Sequence, residues 1–336
     1  MGQDMATHER LHPDAVLYRG EKHFPVLAAC EHYAGSEKLI RKALLLQREL
    51  GPIFDLSCDC EDGAAPGGER EHAAMVAALI ASAENEHDRV GTRIHDISHP
   101  HWQDDIEIIV GGAGRRLAYV VLPKVGGVDD ALVQISAVKD ACRRHGVTRT
   151  MPVHVLIETP GALHEAWRIA ALPGVESLDF GLMDFVSAHH GAIPASAMSS
   201  PGQFEHPLIK RAKCEIAAAA LGNGVVPAHN VSVEIRDTTV VFEDARRARR
   251  EFGFLRMWSI HPSQIEPIVA AMRPDFTEVA AALEILLSAQ DADWGPIQQA
   301  GKLHDRASYR YYWELLARAR ATGMELPAAA LQRFFQ

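Results

Sequence analysis

Between Phe24 and His261 short apolar segments alternate with amphipathic helical stretches, and this alternation constrains the fold more than any other feature of the chain. The segments are FPVLAAC (Phe24–Cys30), IFDLSCD (Ile53–Asp59), RVGTRIH (Arg89–His95), LAYVVLP (Leu117–Pro123), VHVLIE (Val153–Glu158) and SLDFGLM (Ser177–Met183). A weaker one lies near VVPAHNVSVE, and LRMWSIH (Leu255–His261) completes the series. Between them run stretches with helical periodicity, such as SEKLIRKALLLQREL and VDDALVQISAVKDACRRHG. Strand–helix alternation predicts a parallel sheet clothed by helices. Eight such units over about 250 residues fit a closed (β/α)8 TIM barrel. An open doubly wound sheet competes, but no GxGxxG follows the first strand, which weakens its dinucleotide-binding form. From about Pro274 the pattern changes to helices (DFTEVAAALEILLSAQDADW, RASYRYYWELLARAR) around a loop, GPIQQAGKLHD. The expected organisation is therefore a barrel over 1–273 and a C-terminal helical lid over 274–336.

Composition narrows the function classes. The 336 residues are 47% hydrophobic and 23% charged, an ordinary globular balance, and carry a net charge of −10. So acidic a chain is not expected to grip nucleic acid through its overall field, and the basic run ARRARREFGF reads as a solvated helix face. Apolar runs are broken well short of a membrane span, so no membrane partner is expected. The polar start MGQDMATHERLHPDA has no apolar signal core. Five cysteines form no CxxC pair, which predicts reduced thiols in a cytoplasmic protein. His95, His99 and His101 crowd together in HDISHPHW, but their spacing matches no zinc signature.

The strand ends carry the chemistry-bearing side chains. VHVLIETPGAL runs apolar and then delivers Glu158, followed at once by Pro160 and Gly161. A buried carboxylate without a partner is costly, so Glu158 needs company. Strand two ends in CDCEDG with Asp59, Glu61 and Asp62. Strand three carries Arg93, strand four ends at Lys124, and strand six leads to Asp184. In a barrel these ends share one face. Taken singly, each is a salt-bridge partner or a solvated loop group. Taken together, so many carboxylates repel one another and raise each other's pKa unless a cation joins them. Oxygen donors without sulfur point to Mg²⁺ or Mn²⁺.

The same residues resemble the HpcH/HpaI aldolase and citrate lyase beta-subunit family, which includes malyl-CoA lyase-like and CitE-like proteins. The matching segments, in family order, are DLSCDCEDG, RVGTRIH, LPKV, LIETPGAL, FGLMDF and FGFLRMWSIHPSQI. The resemblance implies a Mg²⁺-dependent barrel lyase that reversibly cleaves a carbon–carbon bond in a malyl-, citramalyl- or citryl-type CoA thioester or a related hydroxy acid. It makes Glu158 and Asp184 metal ligands and gives Glu61 and Asp62 the metal-bound waters. It sets Arg93, with Lys124 beside it, on the acid substrate. It makes Asp305, in GKLHDRASYR, a lid acid that reaches a neighbouring subunit, and so implies a homo-oligomer, a trimer or hexamer. The other role for Asp305 is a helix N-cap.

The chain departs from the family pattern in places. Arg256 and Met257 stand where a Gly-Lys pair is usual, and AHNVS stands where an Asp often begins the seventh segment. These departures bear on CoA use more than on metal binding. Two further readings follow: a CoA-independent aldolase that releases pyruvate from a 4-hydroxy-2-oxo acid, and a non-catalytic metabolite-binding or complex-forming subunit.

Overall fold

The computed structural model describes residues 10–18 and 24–335, so most of the polar N-terminal segment lies outside the described residues. Eight parallel strands close into a barrel in sequence order. They are β1 (Cys30–Ala34), β2 (Phe54–Asp59), β3 (Val90–Arg93), β4 (Leu117–Leu122), β5 (Val153–Ile157), β6 (Val175–Phe180), β7 (Val226–His229) and β8 (Arg256–Ser259). β1 closes the ring on β8 with Cys30 opposite Met257. The expected TIM barrel with a helical C-terminal segment is therefore present.

Outward-facing residues of the strands pack under the helices, where Leu56, Val90, Val120, Val155, Ile157 and Phe180 belong to one continuous apolar core. Helix boundaries follow local rules. Ser36 caps Glu37–Leu50, and Asp237 caps Thr238–Phe252, which ends at Gly253 in the left-handed conformation, φ 80°.

The barrel interior is unusually polar. Arg256, fully buried on β8, reaches Glu31 of β1 at 3.1 Å and Asp55 of β2 at 2.8 Å. Ser57 donates to Glu31 at 2.5 Å and lies 2.9 Å from the Tyr119 hydroxyl. The His154 ring stacks on Tyr119 with centroids 4.0 Å apart. Gly91 makes room for that ring, because a Cβ there would fall 2.3 Å from Tyr119. A buried charge is tolerated only where a partner meets it, and here Arg256 supplies the partner.

Two strand expectations shift for this reason. The first strand, expected over Phe24–Cys30, begins where that segment ends. Glu31 and His32 look like polar strand-end residues, yet both are buried within β1. The sixth, expected over Ser177–Met183, runs Val175–Phe180, and Asp184 falls in the first turn of a helix, Leu182–Ser187.

The chain forms two compact units. One runs from Leu27 to Met272; the other joins the described residues up to Val26 with those from Arg273 onward. In this second unit the helix Pro13–Leu17 contributes Val16 and Leu17, with Tyr18, to a core containing Leu286, Trp294, Tyr309, Trp313 and Phe334. The barrel expected over 1–273 includes this N-terminal helix, which here groups with the residues from Arg273 onward. The segment read as a loop, GPIQQAGKLHD, contains a hairpin of β9 (Ile297–Gln299) and β10 (Lys302–His304). Its turn residues Ala300 and Gly301 have φ of 47° and 76°, the two positive values that a tight primed turn needs. Among the described residues no helix is long and apolar enough to cross a membrane.

Candidate active site

Asp59, the last residue of β2, anchors the loop CDCEDG. Its carboxylate accepts the backbone N–H groups of Glu61 at 3.0 Å and Gly63 at 2.9 Å. It also accepts Arg93 Nε at 2.8 Å and Nη2 at 2.6 Å in a two-pronged pair. A Cβ on Gly63 would sit 2.2 Å from Asp59 Oδ2, so the loop closes only over glycine. Burial raises the Asp59 pKa, but Arg93 and the two N–H donors outweigh it and hold the carboxyl below its ordinary value.

Arg93 ends β3 and also pairs with Glu61, Nη1 to Oε2 at 3.1 Å. Two of its five N–H donors are hydrogen-bonded to Asp59, and Nη1 faces Glu61 as an ion pair. Arg93 is thus a salt-bridge partner of Glu61, while its two-pronged partner is Asp59, whose part the sequence did not reveal. Lys124, just past β4, has a left-handed backbone at φ 48°. Its Nζ pairs with Glu61, with Asp62 at 2.8 Å, and lies 3.8 Å from Asp184. Strained backbone of this kind concentrates at functional sites.

Glu158 follows β5. Thr159 then caps the helix Pro160–His164, with its hydroxyl accepting Ala162 N–H at 3.0 Å and donating to Val125 O at 2.8 Å. Pro160 occupies the first helical position, which ends the strand and leaves Glu158 at the rim. Glu158 accepts the Lys124 backbone N–H at 2.6 Å and is 2% exposed. Across from it, a Cβ on Gly181 would fall 2.1 Å from Glu158 Oε2, so this glycine is what lets the segment leading to Asp184 pass close by. Burial, and then the charge of Asp184, push the Glu158 pKa up to about 8.

The structure thus brings Glu61, Asp62, Arg93, Lys124, Glu158 and Asp184 to one end of the barrel. Its donor set fits a hard divalent cation. The two carboxylates Glu158 and Asp184 repel each other, and Glu158 gives up its proton readily only when positive charge arrives. A second carboxylate–histidine group, Glu31, His154 and Asp179, lies wholly buried in the barrel. Arg256 already neutralises Glu31 there. Asp305 lies in the other unit, where it caps the helix Arg306–Ala321, accepting Ala307 N–H at 3.0 Å. Sequence reading weighed His95 only as a zinc ligand and did not single out Asp105; their pairing at 2.7 Å joins a loop to a helix start.

Three comparisons bear on this geometry. The model of the family described as HpcH/HpaI aldolase/citrate lyase matches residues 55–262. The L-malyl-CoA/beta-methylmalyl-CoA lyase of Cereibacter sphaeroides is 27% identical over 80% of this chain and 88% of its own length. A citrate lyase crystal structure from Burkholderia xenovorans LB400 is 55% identical, covers 96% of this chain and 100% of its own, and superposes with a TM-score of 0.83. CitE from Mycobacterium tuberculosis, in complex with magnesium, acetoacetate and coenzyme A, shares the fold at 20% identity and a TM-score of 0.64, over 88% of this chain and 98% of its own. With the family model spanning more than half of it, this chain belongs to the HpcH/HpaI aldolase/citrate lyase family.

Proposed function

We propose that this protein is a Mg²⁺-dependent carbon–carbon lyase that reversibly cleaves a 3-hydroxyacyl-CoA thioester of the malyl or citramalyl type. The observation that carries the reading is the convergence of Glu158 and Asp184 beside Lys124 and Arg93, in a family whose relatives include malyl-CoA lyases. Glu158 and Asp184 would hold a divalent ion, which would supply Lewis acidity toward substrate oxygens. Glu61 and Asp62 would orient waters beside such an ion, and both steady Lys124. Arg93, its plane fixed by Asp59, offers its remaining N–H donors to a substrate carboxylate or developing oxyanion.

In the cleavage direction the 3-hydroxyl gives up its proton and becomes a carbonyl. The electron pair of the C2–C3 bond passes to the acyl fragment, which takes up a proton at C2. Asp305 of a second copy moves one of these protons, which makes the working enzyme a homo-oligomer, a trimer or hexamer, with a shared site. The free cysteines Cys30, Cys58, Cys60 and Cys142 are buried, which suits a reducing, cytoplasmic setting.

A second reading is a CoA-independent aldolase. Its support is that Arg256 is engaged inside the barrel and Met257 is fully buried, so neither offers the rim cation expected where Gly-Lys is usual. Mass-spectrometric turnover of malyl-, citramalyl- and citryl-CoA against free 4-hydroxy-2-oxo acids, with and without Mg²⁺, tests both. Mg²⁺-dependent thioester cleavage supports the lyase. Pyruvate release from the free acids alone overturns it in favour of the aldolase, and no turnover of either class supports a non-catalytic subunit.

A further inference from the structure

His95 ends the segment RVGTRIH, two residues beyond Arg93 at the end of β3. Its ring is held on two sides. Nδ1 lies 2.7 Å from Asp105 Oδ2, and the same oxygen accepts the His95 backbone N–H at 2.9 Å. Asp105 is fully buried in the first turn of the helix Trp102–Ala113. The His99 ring lies flat on His95, with centroids 3.9 Å apart and planes 10° apart. The Asp105 contact sets the tautomer, with the proton on Nδ1, so Nε2 is the working nitrogen. No hydrogen bond to Nε2 is found among the described residues. The groups that act on the ring are Asp105, Glu61 and Glu69, while His99 covers its face. The loop follows directly on β3, on the face of the barrel where the strand ends gather.

The site needs another donor. Its carboxylates Asp59, Glu61, Asp62, Glu158 and Asp184 outnumber its cations Arg93 and Lys124, and both cations are engaged by those carboxylates. An acid substrate entering there meets few free N–H groups.

We propose that His95 is a substrate-binding residue of this site, with its Nε2 hydrogen-bonded to the carboxylate of a hydroxy-acid substrate, and that Asp105 is the positioning residue that aims it. The inference rests on the lyase reading above for the nature of the substrate. The burial of the Asp105 carboxylate leaves it no solvent to compete for Nδ1, so the aim is fixed before substrate arrives. Protonated, the ring donates from Nε2 directly; burial opposes that form, but the Asp105 carboxylate against Nδ1, helped by Glu61 and Glu69, outweighs it and raises the pKa above its ordinary value.

The test uses malate as the probe, in Mg²⁺ buffer. Calorimetry compares the wild-type protein with His95→Gln and His95→Asn. In parallel, ¹⁵N NMR follows the His95 Nε2 resonance of the wild type during the titration. The expected result is about 10-fold weaker malate binding in both variants, at unchanged melting temperature, and a shift of the Nε2 resonance on malate addition. Asp105→Asn should weaken binding similarly, with His95→Gln in the same chain adding little further loss. Wild-type malate binding with unchanged affinity in the His95 variants, or with a stationary Nε2 resonance, overturns the inference and leaves the lyase reading intact. No malate binding to the wild-type protein overturns the assignment of substrate class, and the inference with it.

Discussion

Arg93 is gripped by Asp59 and Glu61, so replacing it separates geometry from charge. Arg93→Lys keeps the positive charge but loses the fork that matches Asp59. Turnover is expected to fall at least ~100-fold, a loss typical of removing one donor to a developing oxyanion. Far-UV circular dichroism should stay native, and turnover near wild type in a folded variant would make Arg93 structural. Glu158 and Asp184 are tested through binding. A ligand at 100 times its Kd stabilises a fold by about 2.7 kcal/mol, so Mg²⁺ should raise the wild-type melting temperature by several degrees. The double variant Glu158→Gln, Asp184→Asn should show no such rise, and calorimetric Mg²⁺ binding that survives in it would refute the assignment. These residues were legible in the sequence because each stands at or just past a strand end. Asp59 was legible only as one of three acids in CDCEDG. Its role depends on Arg93 arriving from the adjacent strand, opposite it in register.

At the scale of elements, Asp305 holds two roles that substitution can part. As an N-cap it accepts the Ala307 N–H, and Asn caps a helix about as well as Asp. Asp305→Asn should therefore leave the melting temperature nearly unchanged, whereas Asp305→Ala should cost about 1 kcal/mol. If Asp305 also serves a neighbour's site, Asp305→Asn abolishes turnover, and mixing it with Glu158→Gln chains restores part of the activity. Verified subunit exchange without recovery would leave only the cap. The turn before Asp184 offers a sharper probe. Gly181→Ala would drive a Cβ to 2.1 Å from Glu158 Oε2. Displacement of that carboxylate should abolish the Mg²⁺-induced thermal shift while the barrel remains folded. Unchanged Mg²⁺ stabilisation would show that Glu158 is not a ligand. Helix and strand identities came from periodicity. The hairpin Ile297–His304 did not, because its strands are three residues each, too short for an alternating pattern to register.

Across the whole molecule, the charged barrel interior should set how stability depends on pH. Burial lowers the His154 pKa, but Glu176 and Glu31 raise it further, to about 9 from an ordinary 6.5. A histidine that holds its proton more tightly when folded stabilises fully below about pH 6.5, and that contribution is lost as pH rises through about 9. Burial and Glu31 likewise raise Asp179 to about 7 from 3.8, and this term has the same sign, since stability declines as pH climbs between those values. The contribution of these two groups to the melting temperature should therefore fall from pH 6 to pH 9, while Lys213, held by burial well below its ordinary pKa, contributes in the opposite sense. His154→Gln should make the profile between about pH 6.5 and 9 fall less, or rise more, than that of the wild type; parallel profiles would mean that His154 does not titrate in this range.

The amino-acid sequence by itself determined the eight-fold alternation, and with it a barrel whose strand ends share one face. Periodicity is local, and each short segment carries its own apolar signature. It also determined which acids and bases stand at those ends, because Thr159 and Pro160 after β5 and glycines such as Gly63 and Gly181 are local signals too. Only the tertiary structure decided which charges neutralise which. Glu31 and His32 lie inside β1 rather than past its end because Arg256 reaches Glu31 from β8, at the other end of the barrel sequence. Arg93 is aimed by Asp59, and His95 by Asp105 across the turn into the next helix. A buried charge is tolerable only with its partner in contact, and no local pattern names a partner that the closing of the barrel brings near.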